Sequence, residues 1–415
     1  LLDRRIMIYR APKGTDDILP PDSAVWSDAE RTFTDLAERF GYGLVLTPLF
    51  EATELFARGI GEDTEVVEKQ MYTFTDKGGR SLTLRPEATA SVVRAVIQAG
   101  GVTGVFKGFY WGPMFRYERP QKGRRRQFSQ AGIEFLGESH PDADVEVIEL
   151  GYRFLEALDV PNVEVRLNSI GDAADRSGYR DELIAFLETR KELLSDDAVR
   201  RMYDNPLRVL DSKADADVVA DAPTPVDHLS GEAAEHFAGV RAGLDAAGVP
   251  YRITPTLVRG LDYYNRTVWE YVPLDFEAAQ SSVGGGGRYD PLFAMLGGKP
   301  TPAVGVAMGL DRILLARDPG EPSPLLDAYI VLADPDRGSD AAGLVRRLRG
   351  AGLRADRTIG RRSVKAQFKA ADRAKAAYAL VVGEEWDEGR VTVRDLATGE
   401  QNPVDLEEIE TWLKR

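Results

Sequence analysis

The sequence predicts an α+β protein in two parts: an antiparallel-sheet unit interrupted by a helical insertion, followed by a small α/β unit. Three observations lead there. Two long strand-like runs, 106–117 and 127–137, flank a single basic loop, the pattern of an antiparallel hairpin. Between about residues 172 and 248 the composition turns acidic and alanine-rich, with helical stretches such as YRDELIAFLETRKELL. Beyond the proline-rich run DPGEPSP (318–324), which neither a helix nor a central strand can continue, strand and helix patterns alternate.

Taken in order, Asp22 or Ser23 is expected to cap a helix whose Val25, Trp26, Ala29, Phe33, Leu36, Ala37 and Phe40 share one face, ending at Gly41. A short strand over 43–49 should follow, with Pro48 near its end favouring an edge or an interface. Residues 81–85 alternate as a strand and pass through Pro86 into a helix over 88–98. After the hairpin and the insertion, strand signals return at 251–258 and 267–272 and persist to Gly309. In the second part, strands are expected at 328–333, 377–383 and 390–395, and helices around 340–349, 363–375 and 406–414.

Composition narrows the function. A net charge of −14 argues against binding nucleic acid over the whole surface, so an RNA partner would have to be met locally. Residues 337–375 fit such a role, carrying twelve Lys and Arg against three Asp. No cysteine and three scattered histidines, His140, His228 and His236, leave no expected metal site held by the protein. The start, LLDRRIMIYR, lacks a signal-peptide core, and no run approaches the roughly 18 apolar residues of a membrane span. A cytoplasmic chain without a membrane partner is expected.

Six segments carry the chemistry. LVRGLDYYNRT (257–267) gathers Arg259, Asp262, Tyr263, Tyr264 and Asn265; it reads as a binding wall or, taken alone, as an exposed turn. On the second hairpin strand, Phe128, Gln130, Gly132 and Glu134 share one face and Ser129, Ala131, Ile133 and Phe135 the other. The first set is a ligand-facing row or a solvated face. The loop Lys122-Gly123-Arg124-Arg125-Arg126 suits a polyphosphate or an RNA end. SVGGGGRYD (282–290) permits close backbone approach but lacks the Gly-Lys-Ser/Thr ending of a P-loop. AVGVAMGLDRILL (303–315) joins a strand to a helix with Arg312 in its first turn, and LTLRPEATAS (82–91) places Arg85, Glu87 and Thr89 where a strand becomes a helix.

Together these resemble a class II aminoacyl-tRNA synthetase. GPMFRYERPQKGRRRQFSQAGIEFLG is similar to motif 2, AVGVAMGLDRILL to motif 3, and the first helix with TPLFE to motif 1, while LVRGLDYYNRT and SVGGGGRYD resemble signatures of the histidyl-tRNA synthetase family. The resemblance runs nearly end to end. It implies a catalytic domain over 1–325, built on the class II antiparallel sheet with the insertion at about 172–248, and a C-terminal α/β anticodon-binding domain over 326–415. It also implies ATP with Mg2+, histidine and tRNA(His) as ligands, and a homodimer.

Residue by residue, the resemblance makes Arg116 and Arg259 catalytic at the α-phosphate and gives ATP to Arg116, Phe128 and Arg312. It assigns histidine to Glu87, Thr89, Gln130, Glu134, Arg259, Tyr263 and Tyr264, with Glu134 and Tyr264 at the imidazole. Gln121 and Arg126 match positions that contact tRNA. Arg125 and Ser129 depart from the tyrosine and histidine common in bacterial members, which touches acceptor-stem contacts rather than activity. A catalytically silent regulatory paralogue is the rival reading; this chain keeps Arg116, Arg259, Arg312 and a full α/β tail, which such paralogues tend to lose.

Overall fold

The computed structural model describes residues 9–61, 64, 66–210, 212, 214–259, 261, 263–276, 281–318 and 324–414. It separates into two compact units, Leu1–Asp318 and Pro319–Arg415. The first ten residues largely, and most of the proline-rich run, lie outside the described residues, as do Gly260 and Asp262 of the predicted binding wall.

The first unit begins with α1 (Ser23–Arg39), β1 (Gly43–Leu44), β2 (Phe50–Ala52), α2 (Thr53–Ile60), β3 (Tyr72–Thr75), β4 (Ser81–Leu84) and α3 (Thr89–Gln98). The hairpin β5 (Phe106–Phe115) and β6 (Gln127–Leu136) leads into α4 (Pro141–Ala157) and β7 (Val163–Ser169). Five helices follow: α5 (Ala173–Glu188), α6 (Asp196–Arg201), α7 (Leu207–Leu210), α8 (Ala216–Val219) and α9 (Gly231–Ala247). The unit closes with β8 (Tyr251–Ile253), β9 (Asn265–Pro273), β10 (Gly284–Arg288), α10 (Leu292–Met295), β11 (Ala303–Gly309) and α11 (Leu310–Ala316).

Eight of these strands form one sheet in the order β1-β5-β6-β11-β10-β9-β7-β8, while β2, β4 and β3 form a small second sheet. The large sheet is antiparallel except at its two edges, where β1 pairs with β5 and β7 with β8 in parallel. Alternation along the strands divides its faces. Ala131, Ile133 and Phe135 of β6 and Val304, Val306 and Met308 of β11 join a core covered by Phe33 of α1, Phe154 of α4, Val240 of α9 and Ile313 of α11. The other face of β6 carries Phe128, Gln130, Gly132 and Glu134.

Several expectations change. In α1, Val25 is exposed, and Asp22 stands at the N-cap without a side-chain hydrogen bond. The strand expected over 43–49 pairs only at Gly43–Leu44, and Leu46 and Leu49 face solvent. The strand expected over 251–258 stops at Ile253, where Leu257 N–H closes a turn on Thr254 carbonyl. The predicted helical insertion divides, because α9 packs into the sheet's own core whereas Tyr179, Leu183 and Leu187 of α5 pack with Met202 and Val209 farther along the module.

The glycine run is a central strand. A Cβ at Gly286 would lie 2.0 Å from the Gly305 carbonyl, and one at Gly285 2.4 Å from that of Trp269, so β9, β10 and β11 can pack only if these positions lack side chains. Just beyond it, Arg288 is fully buried and pairs with fully buried Asp144 of α4, which also faces His236 of α9 at 3.4 Å. Removing one partner of such a group would strand a buried charge, so the triad ties β10 to both helices.

The second unit holds β12 (Leu326–Leu332), α12 (Gly338–Gly350), β13 (Ala355–Arg357), α13 (Val364–Arg373), β14 (Ala376–Val382), β15 (Arg390–Asp395), β16 (Gln401–Asp405) and α14 (Ile409–Leu413). The strand order is β13-β12-β14-β15-β16, with β12 parallel to both neighbours. Sequence reading missed β13 and β16, which are short, polar and on the edges.

Candidate active site

The site is built on the sheet face opposite the main core, and its floor is one carboxylate. Glu134 lies mid-strand on β6, opposite Gly108 of β5 and Gly305 of β11. Its side chain is fully buried; Thr89 Oγ1 donates to Oε1 at 2.7 Å and the Tyr289 hydroxyl donates to Oε2. Burial pushes its carboxyl up to about 8 even though both hydrogen bonds oppose the shift. Gly305 makes room for it, since a Cβ there would fall 1.8 Å from Oε2.

Aromatic rings wall this carboxylate. The ring of Tyr263 meets those of Tyr264 and Tyr289 edge-on, with centroids 4.7 and 5.6 Å away, and all three are buried. Tyr264 lies against β10, where a Cβ at Gly287 would come within 2.6 Å of its ring. Asn265 clamps the two signature segments together: its Oδ1 accepts from Asp290 N–H at 3.0 Å, and its Nδ2 donates to Asp290 and Asp172, each at 3.1 Å. The described residues of LVRGLDYYNRT are thus buried or half-buried and form a wall, and the exposed-turn alternative fails.

Glu87 and Gln130 occupy the approach. Glu87 is buried at the start of α3, accepting from Thr89 N–H at 2.6 Å and Ala90 N–H at 3.0 Å. Burial raises its carboxyl above the usual range against these two bonds. Gln130, opposite Gly112 and Gly309, buries an amide oxygen that has no hydrogen-bond partner among the described residues. A buried acceptor left unsatisfied by the protein is an expected feature of a ligand-facing position.

The three arginines form a second zone. Arg116 Nε donates to the Pro86 carbonyl at 2.9 Å, and its guanidinium lies 5.3 Å from the Phe128 ring centroid. Arg259 is ion-paired with Glu270 and passes close over Gly285. Arg312 donates to the Gly123 carbonyl at 2.8 Å and to the Ser282 carbonyl at 3.1 Å. Burial holds Arg116 and Arg312 below the ordinary arginine value; Arg259 adds to the effect at Arg116, and Arg124 and Arg116 add to it at Arg312. Backbone anchors on Arg116 and Arg312, and the Glu270 carboxylate on Arg259, therefore hold these cations in place despite their mutual repulsion.

The basic loop is docked on the domain. Gln121, itself exposed, and Arg124 exchange backbone hydrogen bonds around Lys122-Gly123. Arg126 stacks 3.8 Å from the Tyr117 ring centroid, donates from Nε to the Glu118 carbonyl and from N–H to the Gly14 carbonyl. Arg125 and Ser129, the two departures, meet on one residue: Asp311 of α11 accepts from Ser129 N–H at 2.8 Å and pairs with Arg125, which also reaches Asp16 at 2.9 Å.

Glu87, Thr89, Glu134, Tyr263 and Tyr264 come together, Phe128 and Gln130 share the β6 face with Glu134, and Arg85 instead bonds to Thr47 and the Pro113 carbonyl, while Gln121 and Arg126 lie in the loop. Sequence reading missed Tyr289, although RYD beside the glycine run was its available signal. It also missed Asp311, Asp172 and Arg176, whose roles depend on contacts distant in sequence. Among the described residues no group of three His, Cys, Asp or Glu side chains is placed to hold a metal.

Comparisons with known proteins agree on one family. The family model described as histidyl-tRNA synthetase matches residues 14–313, and one described as anticodon binding domain matches 327–415. The chain is 45% identical over 417 residues to a histidine–tRNA ligase of Desulforudis audaxviator, covering 99% of each chain. It is 47% identical over 415 residues to one from Rhodospirillum rubrum, covering 97% of this chain and 98% of that one. Among solved structures, the apo histidyl-tRNA synthetase of S. aureus matches with a TM-score of 0.76 at 34% identity, covering 98% of this chain and all of the other.

Proposed function

The chain belongs to the histidyl-tRNA synthetase family and is a ligase that uses ATP to join histidine to tRNA(His), and we propose that the two zones of its site divide this work between amino-acid choice and phosphate chemistry. The observation that carries the reading is the fully buried Glu134, held by Thr89 and Tyr289. Glu134 and Tyr264 read the two imidazole nitrogens, Tyr263 packs the ring, and Glu87, Thr89 and Gln130 take the amino and carboxylate end.

In the first step a histidine carboxylate oxygen attacks the α-phosphorus of ATP. The bond from that phosphorus to the bridging oxygen breaks, and pyrophosphate leaves with the electron pair. Arg116 bridges the α-phosphate and the histidine carboxylate, Arg259 stabilises the charge of the pentavalent transition state, Arg312 holds the distal phosphates and Phe128 stacks on adenine. The terminal ribose hydroxyl of tRNA(His) then attacks the adenylate carbonyl and AMP departs. Mg2+ bound to the nucleotide would neutralise phosphate charge; the nearby carboxylates Glu118 and Glu270 are already paired with Arg124 and Arg259. Gln121 and Arg126 meet the acceptor end of the tRNA.

The catalytic domain spans 1–325 and the anticodon-binding domain 326–415. Exposed Leu46, Leu49 and Phe50 follow the unpaired end of the motif 1 strand, and Trp111 is exposed on β5, an apolar margin that suits a two-fold partner. We place the enzyme in the cytoplasm as a homodimer; no helix among the described residues is long and apolar enough to cross a membrane. Histidine-dependent ATP–pyrophosphate exchange, followed by charging of tRNA(His), tests the reading. Exchange driven equally by another amino acid would refute the pocket assignment, and an active monomer in sedimentation would refute the dimer.

A further inference from the structure

The backbone that presents Tyr264 is held from outside the sheet. Arg266, two residues on, has a φ of 49°, left-handed and uncommon for a side chain of its size. Its N–H donates to the Gly171 carbonyl at 2.9 Å and its carbonyl accepts from Ile170 N–H at 2.8 Å. Its guanidinium grips Asp172 through Nε, at 2.9 Å to the nearer oxygen, and reaches Glu232 at 2.8 Å. Asp172 alone would have its carboxyl raised by burial, but Arg266 and Asn265 hold it below the usual range. One turn into α5, Arg176 Nη1 donates to the carbonyl of Tyr264 itself at 2.6 Å.

Gly171 is required at this junction twice over. Its φ is 63°, and a Cβ would lie 2.7 Å from Cβ of Asp175, whose carboxylate closes the α5 cap on Asp172 N–H at 2.8 Å. The start of the helical module is therefore locked to Tyr264-Asn265-Arg266 by charged and backbone hydrogen bonds.

We propose that Arg176 and Asp172 are positioning residues for histidine recognition: the base of the helical module sets the place of Tyr264 and so the tightness of the imidazole pocket. The inference rests on the assignment of Tyr264 to that pocket. An error near 1 Å in a recognition group costs up to about 10²-fold, so loss of one backbone anchor is felt in binding although neither residue touches the ligand. Arg116 and Arg312 of the ATP zone are anchored on other carbonyls, and Arg259 on the Glu270 side chain, none of which Arg176 or Asp172 supplies.

The test is histidine-dependent ATP–pyrophosphate exchange in the full chain carrying Arg176→Ala, Arg176→Lys, Asp172→Asn or Arg180→Ala. Arg180 makes a similar guanidinium-to-carbonyl bond, but to Tyr203 inside the module, and serves as the control for loosening the module itself. Arg176→Ala is expected to raise the histidine KM about 10-fold with the ATP KM changed less than about twofold, and Arg176→Lys to recover most of the loss. Asp172→Asn should act in the same direction, and Arg180→Ala should leave both constants near the parent values. Should Arg176→Ala fail to fold, the histidine-against-ATP split in Arg176→Lys and Asp172→Asn decides. An unchanged histidine KM in the Arg176 variants, or equal rises in both constants matched by Arg180→Ala, overturns the inference. Exchange in the parent that does not depend on histidine overturns the underlying pocket assignment instead.

Discussion

The two halves of the site solve opposite electrostatic problems. Around Glu134 the groups are buried and mutually satisfied: one carboxyl group meets two hydroxyls inside a cage of tyrosine rings. Around Arg116, Arg259 and Arg312 the groups are like-charged, half-buried and held by backbone carbonyls or, for Arg259, by Glu270. Under the proposed assignment the first arrangement supplies selectivity, because a ligand that cannot match its hydrogen bonds leaves buried polar groups, the Gln130 amide oxygen among them, unpaired, which can reject it by about 10⁴-fold. The second stores attraction that is realised when negative charge enters. Under the same assignment the arginine zone is kept in electrostatic deficit until an anionic ligand or transition state enters.

The sharpest way to break this contrast is Arg259→Ala. If the arginine zone acts mainly in the transition state, single-turnover adenylate formation should fall about 10²- to 10³-fold while histidine and ATP affinities shift by only a few-fold. Losses of the same size in rate and affinity would make Arg259 a ground-state binder.

Glu134→Ala addresses the other half. The histidine KM should rise roughly 10²-fold with little change for ATP, since the carboxylate lies in the amino-acid zone only. Steady-state exchange with each substrate varied in turn checks this, and a parallel rise for ATP would merge the two zones. Tyr289→Phe is milder. It removes one donor to Glu134 and leaves the ring, so the histidine KM should rise about 10-fold, whereas parental kinetics would assign the hydroxyl to packing alone.

The smallest effect is on stability. Because burial raises the Glu134 carboxyl to about 8, the folded chain holds a proton there that the unfolded chain releases near pH 4.5. The stability linked to that proton is complete below about pH 4.5 and is lost as pH rises through about 8. Thermal melts at pH 6 and pH 9 should therefore fall more with rising pH in the parent than in Glu134→Gln, which carries no titrating group. Equal slopes would show that Glu134 is ionised across this range.

The basic stretch of the second unit marks how far charge counting goes. Of its twelve cations, Arg337, Arg347, Arg349 and Arg354 are committed to Asp387, Glu410, Asp356 and Asp327. Those ion pairs join residues distant in sequence, or joined by a bend, so composition alone overstated the charge available to RNA. Arg361, Arg362, Lys365 and Lys369, around the start of α13, make no ion pair among the described residues.

Alternation on β6 was legible because its period of two, with Ala131, Ile133 and Phe135 on one side, leaves a single way to face the core. Glu134, Arg116, Arg259 and Arg312 are singled out by the resemblance of the ordered motifs to a known family. Short-range signals such as the alternation survive in sequence because each acts through neighbours a few residues away. What only the tertiary structure decided were contacts whose partners lie far apart in the chain: Tyr289 on Glu134, Asp311 gathering Ser129 and Arg125, α9 in the sheet core, and Arg176 on the Tyr264 carbonyl. A hydroxyl or guanidinium can serve solvent, a cap or a distant backbone group equally well, and the choice is made when folding closes the loops between them and removes water from the alternatives.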